Sequence, residues 1–242
     1  MAFHYSPKIV TDGLVLAVDA ANHKSYPGSG TTVTDLSGRG NTGTLANGMS
    51  LVTDSEGGLC FDGDGINDNI QFAESADTKG TDNNAITYEC WVKREGATSG
   101  TPRLMSTDAS DYNALFITTS GNGSLYWRIN IGGAAKDRIY SSGLALNEWT
   151  HVVGTGEYNG SSSFTSALYI NAQSVSSTTA SGTGTWGDGT ARVFSIFSNV
   201  EATHQNNNCL NGKVAIANVY NRALTADEVL QNYNTLKSRF GL

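Results

Sequence analysis

The sequence predicts an all-β protein, two antiparallel sheets packed as a sandwich, with one short helix at the C-terminal end. Three observations carry this. Short apolar runs with period-two alternation recur at the spacing typical of sandwiches. Gly is abundant at 28 residues and Pro scarce at 3, with Ser, Thr and Asn between the runs, a pattern of many strands joined by turns. A three-to-four apolar spacing occurs only near the end of the chain. At 242 residues the whole chain, 1–242, fits one domain of this class.

The first strand is "GLVLAVDA", Gly13 to Ala20. The turn-rich stretch "YPGSGTTVTDLSGRGNTGTLANG" after it predicts a surface loop or a pair of short hairpins. In "AITYECWVK" Ile86, Tyr88, Cys90 and Val92 share one face and Thr87, Glu89, Trp91 and Lys93 the other, so a half-buried strand is expected. "RLMST", "NALFITT", "SLYWRINI", "EWTHVVGTGEY", "SALYINAQ", "RVFSIFS" and "GKVAIANVYN" continue the series, and "SVSSTTASGTGTWGDGT", Ser174 to Thr190, reads as a loop. The helix lies in "LTADEVLQNYNTLKSRF", where Val229, Leu230, Tyr233, Leu236 and Phe240 form the stripe and Thr225 with Glu228 a capping box.

"FDGDGINDNI" gathers three aspartates and two asparagines in ten residues. Counted as an EF-hand loop from Asp62, the fifth, sixth and twelfth positions fall on Ile66, Asn67 and Ala73, which are the wrong types. A turn between strands at Leu59–Phe61 and Asn69–Phe72 is the reading that remains. The net charge of -7 and scattered basic residues exclude a phosphate-binding stripe, so no nucleic acid partner is expected. No stretch approaches the about 18 apolar residues of a membrane span, and "MAFHYSPKIV" lacks the pattern of a signal peptide. Cys60, Cys90 and Cys209 form no CxxC pair and are expected as reduced, buried thiols.

Several segments, in order, resemble the laminin-G-like, concanavalin A-like jelly-roll family. "GGLCFDGDGINDNI" is similar to its G-x-x-F-D-G-x-x-D-x-[IV] segment, "ITYECWVK" to its first core strand, and "NEWTHVVGTGEYNGSSSFTSALYINAQSV" to its W-x-H-[VL] strand and hairpin. "LNGKVAIANVYNRALTADEVLQNYN" is similar to its closing strand and helix. The opening "SPKIVTDGLVLAVDAANHKSYPGSGTTVTDLSGRGNTGTL" further resembles the start of jelly-roll proteins of tailed bacteriophages. The resemblance implies a two-sheet antiparallel jelly-roll sandwich whose edge loops, in many relatives, bind calcium and a glycan. Compared with the calcium-binding pentraxins, "STDASDYNALFI" offers Asp111 but has Tyr112 where an Asn would fall. "IFSNVEATHQNN" offers Asn199 and Glu201 without the full acidic run.

The Glu-x-Asp-x-Glu signature of the glucanases that share this fold is missing, and Glu89 and Glu157 read as single solvated strand carboxylates. His4, His23, His151 and His204 show no HExxH spacing, His151 belongs to a structural strand, and no GxSxG elbow occurs. The expectation is a non-enzymatic bacteriophage virion protein, decorating the capsid or forming part of a tail or fibre, made in the host cytoplasm. Its expected partners are other virion proteins, further copies of itself as a homo-oligomer, and a host-surface glycan. The alternatives are a free lectin or carbohydrate-binding module and a divergent glycoside hydrolase. Residues 1–12 are expected either as an assembly arm or as an end strand of the same domain. The candidate glycan residues are Asp108, Tyr112, Asn199 and His204, and the candidate calcium ligands Asp111, Asn199 and Glu201, from the loops "TDASDYN" and "SNVEATHQNNN". On this expectation, joint Asp111→Ala and Glu201→Ala substitution abolishes any calcium-dependent rise in melting temperature and leaves the fold intact. A wild-type melt indifferent to both calcium and chelator removes the metal from the proposal.

Overall fold

The computed structural model describes residues 8–96, 100–107, 113–117, 123–187, 193–199 and 208–242. Within them the chain forms β1 (Leu14–Asp19), β2 (Thr32–Val33), β3 (Gly43–Ala46), β4 (Ser50–Asp54), β5 (Gly58–Asp64), β6 (Asn69–Phe72), β7 (Ala85–Arg94) and β8 (Arg103–Ser106). There follow β9 (Ala114–Ile117), β10 (Leu125–Ile131), β11 (Ala134–Tyr140), β12 (Trp149–Tyr158), β13 (Ser163–Ile170), β14 (Gln173–Ser181), β15 (Phe194–Ile196) and β16 (Asn211–Tyr220). A single helical turn, α1 (Ala76–Lys79), precedes β7, and α2 (Ala226–Leu236) runs into a 3-10 turn at Lys237–Phe240.

Two antiparallel sheets of eight strands make the predicted jelly-roll sandwich. The first has the order β14-β13-β12-β7-β16-β5-β4, and β1 lies alongside β16. The second has the order β11-β10-β9-β8-β15-β6-β3-β2. One edge of β16 serves two partners: Asn211–Val214 pair with β5 and Ile216–Tyr220 with β1. The turn-rich stretch after β1 does hold a hairpin, β2–β3. The Asp/Asn cluster is a corner that carries the chain from one sheet to the other. Asp64 Oδ1 accepts from the amides of Ile66 (2.7 Å) and Asn67 (3.4 Å), which fixes the bend.

Between the sheets, Tyr88 packs against Trp127 and Phe194, each with ring centroids 5.3 Å apart. Their polar ends are satisfied: the Tyr88 hydroxyl donates to Thr78 O (2.8 Å) and Trp127 Nε1–H to Thr155 O (2.9 Å). Trp127 also explains Gly154, where a Cβ would lie 2.3 Å from the indole. The three cysteines are free and buried, as expected.

The outer face of the first sheet departs from expectation. β7 is buried on both faces over Ala85–Val92, because the C-terminal segment lies across it. Trp91 stacks on Phe240 at 4.0 Å and on Tyr233 at 5.8 Å. The α2 stripe is rotated from the expected one: Val229 and Asn232 are buried, whereas Leu230 is 43% exposed. The capping box between Thr225 and Glu228 forms as predicted. Gln173–Ser181, most of which reads as loop, is a strand, since its hydroxyl-rich side chains need no core of their own at a sheet edge. The solvated reading of Glu89 is wrong: the residue is fully buried.

Glu89 explains how the C-terminal segment is held. Its Oε1 lies 2.7 Å from His151 Nε2, and its Oε2 accepts from Asn218 Nδ2 (3.1 Å), Tyr220 Oη (3.3 Å) and Asn232 Nδ2 (2.9 Å). His151 Nδ1 has no partner, so the tautomer that serves the carboxylate carries its proton on Nε2. Asn232 Oδ1 in turn accepts from Val10 N (2.7 Å), which ties the N-terminal segment to α2. Met1 to Pro7 lie outside the described residues. Removing the carboxylate leaves four donors facing a void, so Glu89→Ala is expected to lower the unfolding free energy by about 3–5 kcal/mol. Urea denaturation measures this, and a loss below about 1 kcal/mol contradicts the role given to Glu89.

Candidate functional site

Of the sequence-predicted site residues, Asp108, Asp111, Tyr112, Glu201 and His204 lie outside the described residues. Asn199 is described and 3% exposed, with no hydrogen-bond partner for Oδ1. Among the described residues no group of three His, Cys, Asp or Glu side chains is placed to hold a metal ion. No described helix is long and apolar enough to cross a membrane. His151 is a packing and hydrogen-bonding residue, as the sequence predicts, and Glu89 and His151 are closed off from solvent.

A groove of about 580 Å³ opens instead on the outer face of the first sheet, over β12, β13 and β14. It is the part of that face that α2 leaves uncovered. Alternation along the strands puts Thr155 and Glu157 of β12, Thr165 and Tyr169 of β13, and Ser177 and Thr179 of β14 toward it. Thr155 is 5% exposed and Tyr169 8% exposed, yet neither side-chain hydroxyl has a hydrogen-bond partner among the described residues. Both hydroxyls belong to side chains that line the groove, and hydroxyls without a protein partner there are groups left for water or a ligand. Burial pushes the Tyr169 phenol above its usual pKa, which keeps it a neutral donor and acceptor. Glu157 is exposed, as the sequence reading has it.

The wall of the groove, Ala223 to Thr225, is braced by charge. Arg222 donates from both terminal nitrogens to Glu228, at 2.8 and 2.6 Å, and Glu228 Oε2 accepts from the amide of Thr225 at 2.9 Å. A second cavity of about 300 Å³ lies under the N-terminal segment; it is mostly apolar, and of its polar members Asp19, Asn22 and Asn218 are engaged within the fold. Sequence reasoning missed the groove because Ser and Thr in strands carry no motif. The usable signal was the Thr-x-Glu alternation in "GTGEY" beside the Ser/Thr alternation of "SVSSTTAS".

Two antiparallel eight-stranded sheets packed face to face put the chain in the class of jelly-roll sandwiches. The chain belongs to the concanavalin A-like lectin/glucanases superfamily, whose profile matches residues 63–230. Among solved structures it is similar to the binding domain of botulinum neurotoxin serotype D, with 14% identity and a TM-score of 0.64 over 93% of this chain and 52% of that one. It is also similar to domain 4 of a GH43 extracellular arabinanase from Geobacillus stearothermophilus, solved in complex with arabinotriose (17% identity, TM-score 0.62, 91% of this chain and 98% of that one). A third is Trypanosoma rangeli sialidase (16% identity, TM-score 0.61, 99% of this chain and 36% of that one). The chain thus spans about half of the toxin domain and about a third of the sialidase. No match is found among curated proteins.

The brace has a pH signature. The Arg222 guanidinium holds the Glu228 carboxyl down, from 4.5 to about 2, against the upward pull of burial. A carboxyl lowered on folding stabilises the fold above its unfolded pKa and loses that contribution as pH falls through its folded one. Arg222→Ala is therefore expected to cost about 1 kcal/mol at neutral pH, at the upper end for a partly exposed pair. It should also flatten the fall of stability between pH 4.5 and 2. Melting curves across that range check this, and a variant whose acid limb matches the wild type contradicts it.

Proposed function

We propose that the chain is a non-enzymatic, glycan-binding jelly-roll protein of a bacteriophage particle, and that it holds the saccharide in the groove over β12, β13 and β14. The observation that carries the glycan reading is the pair of hydroxyls of Thr155 and Tyr169, without partners among the described residues, on the floor of a groove large enough for sugar residues. Further hydroxyls from Thr165, Ser177 and Thr179 give the mixed donors and acceptors that sugar hydroxyls require. The similar arabinanase domain was solved with an oligosaccharide, which fits this use of the fold. Glycoside hydrolysis ordinarily uses two carboxylates, and Glu157 is the single one lining the groove.

The virion assignment is supported by the similarity of Ser6–Leu45 to the start of bacteriophage jelly-roll proteins. It places the chain among other virion proteins, as a homo-oligomer assembled after synthesis in the host cytoplasm. Mass spectrometry of purified particles is expected to find the chain; its absence there, with glycan binding intact, makes it a free lectin.

The glycan reading is checked by titrating a panel of oligosaccharides in a calorimeter. Tyr169→Phe and Thr155→Val are each expected to weaken the best ligand about fivefold, the value of one hydrogen bond worth about 1 kcal/mol. Variants that bind as tightly as the wild type would move the site elsewhere. Sustained release of reducing ends from any of these sugars would make the protein a hydrolase.

A further inference from the structure

This inference rests on the groove being a saccharide site and concerns which saccharides enter it. We infer that the groove favours sugars carrying a protonated amine over neutral ones and disfavours sugars carrying a carboxylate, with Glu157 making the choice. Glu157 is exposed near the end of β12, and its carboxylate has no hydrogen bond or ion pair among the described residues. It lines the main groove and also a second depression of about 100 Å³, which it shares with Asn159, Ser163, Phe164 and Thr165. A ligand crossing from one hollow to the other passes this side chain.

Among the described residues lining either hollow, Glu157 is the single charged side chain; the rest are hydroxyl, amide or apolar. Two basic residues on neighbouring elements do not offset it. Arg222 is bound to Glu228 and to Asp12, and Lys136, on β11, points its ammonium at the Phe164 ring from 5.9 Å and lines neither hollow. The net charge of -7 adds a field of the same sign. The hydroxyls of the floor serve any sugar alike, so they do not separate one hexose polymer from another of similar shape. The substituent that meets Glu157 does. An ammonium gains a charge-assisted hydrogen bond there, whereas a uronate meets like charge.

The test is calorimetric titration of the full chain with hexasaccharides of glucosamine, N-acetylglucosamine and galacturonic acid, at low and at raised salt. A solvent-facing pair is worth up to about a fivefold change in affinity. The glucosamine oligomer should therefore bind up to about fivefold tighter than its acetylated form, and the galacturonate oligomer weaker by a similar factor. Raised salt should narrow both ratios. Glu157→Gln should bring both ratios close to one, with an unchanged melting temperature to show that the fold is intact. Equal affinities in the wild type, or ratios that survive Glu157→Gln, overturn the inference and leave the groove as a saccharide site. Binding of none of the three, with no ligand found in the wider panel, overturns the saccharide reading and the inference together.

Discussion

The buried carboxylate of Glu89 is the constraint on which the rest of the arrangement turns. It projects from the middle of a central strand onto the outer face of a sheet, where a bare carboxylate would be hydrated. Here it is sealed, and it is met by donors from β12, β16 and α2. Because a buried charge demands such a full set of partners, it fixes where α2 lies far more narrowly than apolar contact alone would. Asn232 passes the constraint on to the N-terminal segment. The position of the helix then decides what remains open. The sheet face over β5, β7, β16 and the start of β12 is covered, and the face over Thr155 and Glu157 of β12 and over β13 and β14 is not.

A second buried carboxylate repeats the theme. Burial would raise the pKa of Asp54, but hydrogen bonds from Trp149, the Gly57 amide, Lys93 and the Glu56 amide hold it well below the usual carboxylate range. Trp149 and His151 are the two polar aromatics of "WTH", and each serves one of these acids: Trp149 Nε1 donates to Asp54 Oδ1 at 2.8 Å, and His151 faces Glu89. The W-x-H pattern thus has a physical content that strand periodicity does not express.

Much of the fold was legible because alternation is a local property. β7, β10, β12 and β16 announce themselves by it, and the Thr225–Glu228 capping box marks the start of α2. What alternation cannot express is what covers the second face of a strand. Alternation puts Glu89 and Trp91 on one face of β7, but nothing near them in sequence says that residues 229–240 will lie there. β14 failed for the opposite reason: its Ser/Thr composition is that of a loop, and pairing with β13 makes it a strand. The groove depends on both errors, since it is roofless where α2 stops and floored by strands that carry no motif. A search for liganding loops, guided by acidic residues and amides, does not lead to it.

The shared edge of β16 also bears on how the chain reaches this structure. β16 separates β7 from β1 and β5, and the hydrogen bond from Tyr220 to Val10 joins residues 210 positions apart. Until β16 has been synthesised, β7 has an open edge, β1 has no strand to join, and the β4–β5 hairpin has nothing to attach it to the rest of its sheet. Contacts this distant in sequence slow folding, and an open edge on a strand that the finished fold buries on both faces invites association between nascent chains. The order of synthesis therefore works against the protein: its earliest strand waits longest for a partner, and the hazard of aggregation persists until nearly the last residues of the described fold are made.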